Sequence, residues 1–400
     1  MFIEILLLLM VVVFSTPILG SSSNIIMVCL AAAVYLIVNY KYVFTHKNAV
    51  LVNSILLYVI VMFGYKFAGI SSAEWGNYMN QLAFFISLLL MLLLVKMKDI
   101  QFKPYFLWIV FFIIAFNIAD NIRLSILYPQ INTGRIFMDE EFLASINAGG
   151  TRFYSFSLFF LNVCYLTFLN CKKKSIRNLM FILTVLSAVY IFAFCLKAAV
   201  VVYGLISLVF IFYAKRVKNK KLFFFVLGVT GLLSFIIISL FEEAIIDFII
   251  SISPDKRLTT RLVTLINPED EEAQMGTVTG RTKLYMMSIE TWLANIGNFL
   301  FGIGDHRAQF GAAATGIGQH GAFLDSLARY GLIGFVLLFL VFKHAFKTIL
   351  SFFDKEYRLQ IICILVVFVL CGFTKGIFFP SMGLVMFLVL PLSARLINKC

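Results

Sequence analysis

The sequence predicts an all-α, polytopic transmembrane bundle of about 12 spans, and three observations lead there. Of its 400 residues, 62% are hydrophobic and only 13% charged, with a mean hydropathy of +0.98. No water-soluble core could hide that much apolar side chain. The apolar residues come in repeated runs of about 17 to 21, a length that crosses a hydrocarbon layer roughly 30 Å thick as a helix. The net charge of +13 gathers in short loops after alternate runs, as in the cytoplasmic loops of multi-pass proteins.

Taken in order, residues 3–19 form the first run. Glu4 stands where a signal peptide would be basic, so a retained helix is expected. The runs 24–40, 49–66, 78–95 and 104–121 follow, with Lys41 and Lys47 after the second and Lys96, Lys98 and Lys103 after the fourth. Runs 153–170, 178–196 and 198–214 are bounded by Lys172, Lys173, Lys174 and Arg177, by Lys197 in a tight turn, and by Lys215, Arg216, Lys218, Lys220 and Lys221. A ninth run covers 221–241, and the last three are 328–343, 358–373 and 376–393. Lys343, Lys347, Lys355 and Arg358 separate the tenth from the eleventh, and Arg395 and Lys399 close the chain.

Placing these basic loops in the cytoplasm collects 20 of the 33 Lys and Arg there, against only Asp99, Asp354 and Glu356. Both termini are then cytoplasmic. The chain reads as a single integral membrane domain, 1–400, with two outer-face loops, 122–152 and 242–327. Cys29, Cys164, Cys195, Cys363 and Cys371 fall singly inside apolar runs, without the CxxC spacing of a zinc site.

Residues 286–300 are apolar enough to span, but counting them as a span would turn every later basic loop outward. Ile289, Trp292, Leu293, Ile296 and Leu300 recur at helical spacing, which predicts a surface amphipathic helix, lying on the outer face or packed over the bundle, ended by the turn glycines Gly302 and Gly304. HGAFLDSLARYG then reads as the helical approach to the tenth span, with Asp325 and Arg329 placed to pair at i,i+4.

The stretch from Thr279 to Gly334 also concentrates the chemistry: Arg281, His306, Arg307, His320, Asp325 and Arg329 among glycines. Ionisable groups so dense in an apolar chain need water or a polar ligand beside them. Planar Arg donors suit phosphate or pyrophosphate oxygens, and Arg152, Lys197 and Arg281 stand at or just above membrane depth; the competing role is snorkelling to anionic head groups. A His of near-neutral pKa can take a proton from an attacking hydroxyl, or simply pack at an interface. Other chemistries lack their motifs. No Walker A loop, dinucleotide fingerprint, HExxH or GxSxG occurs, so no cofactor or metal is expected. No basic aromatic module for nucleic acid is present either. Transport would predict related halves with matching broken helices, and none is evident.

The segment R281...W292...FGIGDHRAQFG...GQHGAFLDSLARYGLIG resembles the carboxyl-terminal block of the O-antigen polymerase and O-antigen ligase superfamily. In that block an Arg, a G-x-G turn, a His and a Gly-Leu/Ile-Gly helix entrance recur in order. Arg281, Gly302 and Gly304, His320, and Gly331 to Gly334 match it; GTRFYSF and LKAAVVVYG add Arg152 and Lys197. Gly321 and Lys197 depart from the usual Asn and Arg. The resemblance implies an inverting, metal-independent glycan transfer from an undecaprenyl-pyrophosphate-linked oligosaccharide at the outer face of a bacterial inner membrane. A polymerase passes the glycan to a lipid-linked repeat unit, a ligase to lipid A-core, with a flippase and a chain-length regulator as expected partners. It further implies His320 as base, Arg281 as stabiliser of the leaving pyrophosphate, and Arg152, Lys197, Arg307 and Arg329 as further pyrophosphate contacts.

Overall fold

The computed structural model describes residues 2–15, 22–71, 75–96, 104–128, 150–195, 198–217, 278–304, 317 and 321–398. Among them, seven helices are long and apolar enough to cross a membrane, and three shorter apolar helices accompany them. The chain is an all-α, multi-pass membrane protein. The elements are α1 (Phe2–Ser15), α2 (Ser22–Val38), the single turn α3 (Tyr40–Val43), α4 (Ala49–Phe67), α5 (Trp75–Lys96) and α6 (Pro104–Leu127). There follow α7 (Gly150–Asn170), α8 (Lys174–Val189, continued by a wide π turn Tyr190–Phe194) and α9 (Ala198–Arg216). The last group is α10 (Val278–Leu293), α11 (Ile296–Phe301), α12 (Ala322–Ser351), α13 (Arg358–Thr374) and α14, which starts at Pro380–Gly383, widens at Leu384–Val389 and ends at Leu390–Asn398. Helices stand on every expected span except 221–241, which lies outside the described residues.

Hydrocarbon offers no hydrophobic drive between helices, so shape and hydrogen bonds must join them. Phenylalanine supplies much of the shape. Phe84 on α5 meets Phe378, Phe387 and Phe342 edge to face at 5.4, 5.2 and 6.3 Å between ring centres, the arrangement that aromatic quadrupoles favour. Hydroxyls buried in the helices return to the carbonyl one turn back, as Ser87 does to Ala83 and Thr167 to Val163, which satisfies those donors in an apolar setting. At one end of the bundle, Asn170 Nδ2 donates to Gln360 Oε1 at 2.9 Å and Gln360 Nε2 donates to the Ile211 carbonyl at 3.1 Å. Those contacts tie α7, α13 and α9 together near the basic residues Lys172 to Lys174, Lys215, Arg216 and Arg358. Cys29, Cys164, Cys195, Cys363 and Cys371 are free and buried.

Two expectations are corrected. The segment after the fifth span does not become loop at 122: α6 runs on to Leu127, and Arg123 on that added turn pairs back to Asp120 within the span, Nε to Oδ1 at 2.8 Å. Residues 286–300 are two helices rather than one, because Asn295 is extended and its Oδ1 accepts from the Asn298 N–H at 2.8 Å, a cap that starts α11. Along these helices Leu293 and Ile296 are 57% and 73% exposed, whereas Leu284 and Ser288 are buried.

Candidate functional site

The loop-bearing end of the bundle is assembled around the C-terminus of α13. Thr374 is its hub. Its carbonyl accepts from Tyr285 Oη of α10 at 3.2 Å, and its hydroxyl lies 2.9 Å from Tyr203 Oη of α9. One residue on, the Lys375 carbonyl accepts from the Ala322 N–H at 3.1 Å, which docks the start of α12 here. Gly321, the residue after His320, is packed so tightly that a Cβ would fall 2.5 Å from the Phe373 carbonyl oxygen. Tyr154 of α7 donates to the Phe194 carbonyl at the end of α8 at 3.3 Å and stacks on Tyr190 at 4.9 Å. The starts of α7, α9, α10 and α12 therefore share one end with the close of α8 and α13.

The two glycine pairs of the carboxyl-terminal block meet each other. Gly302, which ends α11, and Gly331, within α12, take nearly the same backbone conformation: φ 77°, ψ −176° and φ 62°, ψ −167°. That region is open essentially to glycine alone. A Cβ on Gly302 would land on the Arg329 backbone and one on Gly331 on the Leu300 backbone. Gly331 interrupts α12, so the carbonyls of Ala328 and Arg329 are free to bond outside the helix. The Ile303 and Gly304 N–H groups fill them, each at 2.9 Å. Gly304, also at φ 77°, abuts the Ile70 carbonyl after α4, and Tyr65 Oη donates to the Phe301 carbonyl. Gly334 lies one turn beyond Tyr330, whose ring meets Tyr58 and Tyr65 edge-on at 5.4 and 5.9 Å. The expectation of a plain turn at 302–304 becomes a backbone clasp joining α11, α12 and α4. An uninterrupted helical approach to the tenth span gives way to a kink at Gly331.

Asp325, expected to pair with Arg329, is buried at 4% exposure, and its Oδ1 accepts from Ser288 Oγ of α10 at 2.9 Å. Replacing the hydroxyl leaves a buried carboxylate short of a donor. Ser288→Ala is expected to destabilise the protein by about 1–3 kcal/mol, read as a lowered melting midpoint in detergent, while the same change at exposed Ser351 leaves the midpoint unmoved. Trp292 stacks on Phe299 at 5.0 Å and its Nε1–H donates to the Phe299 carbonyl at 3.0 Å, folding α11 back on α10.

Of the candidate residues, Arg281 stands in the first turn of α10. Arg152 stands in the first turn of α7, and Arg329 is half-buried next to the clasp. His306, Arg307, Lys197 and His320 lie outside the described residues, as does most of the outer-loop sequence. Tyr154, Tyr203, Tyr285, Ser288 and Thr374 went unnoticed in the sequence. Each is a polar residue inside an apolar run or at its edge, which is the signal that marks them. No family model matches the chain, and no curated protein matches it in sequence.

Proposed function

We propose that the chain polymerises a bacterial surface polysaccharide, an O-antigen or capsule, at the outer face of the inner membrane. The observation that carries this reading is the siting of cations where helices are already electropositive. A helix N-terminus bears roughly half a positive charge, and a cation in its first turn is disfavoured by about 0.3–1 kcal/mol. Arg152 and Arg281 occupy the first turns of α7 and α10, Lys197 immediately precedes α9, and no acidic residue lies in those turns. The arrangement turns favourable when a polyanion sits among them, and a lipid-borne pyrophosphate meets that need.

In this reading twelve helices cross the membrane, the basic end is cytoplasmic and the loops 122–152 and 242–327 face outward. His320 takes the proton of the acceptor hydroxyl as its oxygen bonds to the anomeric carbon. The bond from that carbon to the carrier oxygen breaks, and the pyrophosphate leaves with the electron pair, neutralised by Arg281 with Arg152 and Lys197 beside it. Attack opposite the leaving group inverts the centre. Arg307 and Arg329 are further contacts to the same anion.

Purified protein given short undecaprenyl-pyrophosphate-linked repeats is expected to make a ladder with inverted linkages, in the absence of nucleotide sugar. Product appearing only when lipid A-core is added would make it a ligase instead. Glycolipid crossing a proteoliposome membrane without any new linkage would remove the enzymatic reading altogether.

A further inference from the structure

Away from this site, α2, α4 and α5 enclose a groove with a cavity of about 420 Å³. Apolar side chains line it throughout, from Ile26 and Met79 at the loop-bearing end to Tyr40 and Phe44 at the basic end. Ile26 to Tyr40 corresponds to roughly 20 Å along a helix, a distance comparable to one leaflet's acyl chain rather than to a compact solute. The groove is open to its surroundings along α2, where Leu30 and Ile37 are 58% and 70% exposed, and Ala33 contributes the smallest side chain to its wall. Charge distinguishes its two ends. Lys41 and Lys47 are exposed beside Tyr40 and Phe44, while residues 22–71 contain no Asp or Glu. At the other end α2 begins with Ser22, Ser23 and Asn24, and Lys66 sits over the rings of Trp75 and Tyr78 at 5.6 and 5.9 Å.

We propose that this groove is a binding site for an anionic diacyl phospholipid, one acyl chain lying along α2 and the phosphate held by Lys41 and Lys47. The hydrocarbon fills a trough that protein side chains leave open, and the two lysines gain the counter-ion that their own segment lacks. This does not rest on the catalytic reading, since a carrier pyrophosphate among Arg152, Lys197 and Arg281 would sit at the opposite end of the bundle.

The test is native mass spectrometry of the full-length protein in detergent, with phosphatidylglycerol and phosphatidylcholine of identical chains in competition. One lipid is expected to be retained, phosphatidylglycerol being favoured by about fivefold per lysine. Lys41→Gln with Lys47→Gln, both on the surface, should abolish that preference yet keep a bound lipid; Ala33→Trp, which fills the trough, should expel it. Retention undiminished in Ala33→Trp at an unchanged melting midpoint would overturn the site. A head-group preference that survives loss of both lysines would overturn the assigned orientation, as would tighter retention of undecaprenyl phosphate than of phosphatidylglycerol.

Discussion

Replacing His320 by alanine is expected to slow glycan transfer by about 10²- to 10⁴-fold, the usual contribution of a positioned general base, while the protein remains folded. The expectation follows from the chemistry proposed for the acceptor. A sugar hydroxyl is a poor nucleophile until its proton is taken, and a His with an ordinary pKa of about 6.5 is the side chain suited to take it near neutral pH. The sign of the pH dependence follows. A protonated imidazole cannot accept, so the wild-type rate should fall toward acid pH, and the acid limb should vanish in His320→Ala. Single-turnover rates on defined lipid-linked repeats measure both effects. His306, the other histidine of the 242–327 loop, provides a comparison: His306→Ala should keep the acid limb. A full rate and an intact acid limb in His320→Ala would move the base elsewhere and leave Arg281 as an anion contact alone.

The parts of the molecule legible in sequence are those set by the solvent. Long apolar runs must be helical in hydrocarbon because each backbone N–H and C=O has to be satisfied within its own segment, so α4, α5, α8 and α13 fall close to where the runs predict them. Helix ends were harder. The extra turn of α6 past Asn121 carries Arg123, and the apolar run ends before it although a helix continues readily once it leaves the apolar layer. The break at Asn295 looked like a polar face, since Asn295 and Asn298 sit off the apolar stripe; their spacing is equally that of a cap and the N–H it accepts from. Lateral pairings such as Ser288 with Asp325 and Tyr203 with Thr374 join residues 37 and 171 positions apart, a relation that no local period encodes. The glycines were recognised as punctuation, but their mutual contact was invisible, because two turns 29 residues apart look independent until the chain folds.

That contact supplies the second large effect. Gly331→Ala is expected to destabilise the protein by about 3–5 kcal/mol and to abolish transfer with it. The backbone at Gly331, with φ 62° and ψ −167°, lies where a side chain costs of order 1–3 kcal/mol even in open space. Space is also lacking, because the new Cβ would occupy the position of the Leu300 backbone. Relief requires α11 to back away from α12, and the first bonds to stretch are those from the Ile303 and Gly304 N–H groups to Ala328 and Arg329, each worth about 1 kcal/mol net. Gly302→Ala pushes on the same clasp from the other side, so the two substitutions combined should cost less than the sum of their separate effects, as for residues in contact. Gly64→Ala is the control: it lies inside α4 with nothing within 4 Å of the added methyl, and the higher helix propensity of alanine should stabilise by up to about 1 kcal/mol. Denaturation midpoints of the four variants in one detergent decide the matter. If Gly331→Ala melted with Gly64→Ala, the clasp would not hold α10 and α11 against α12. The anion site proposed at Arg281 would then need another support.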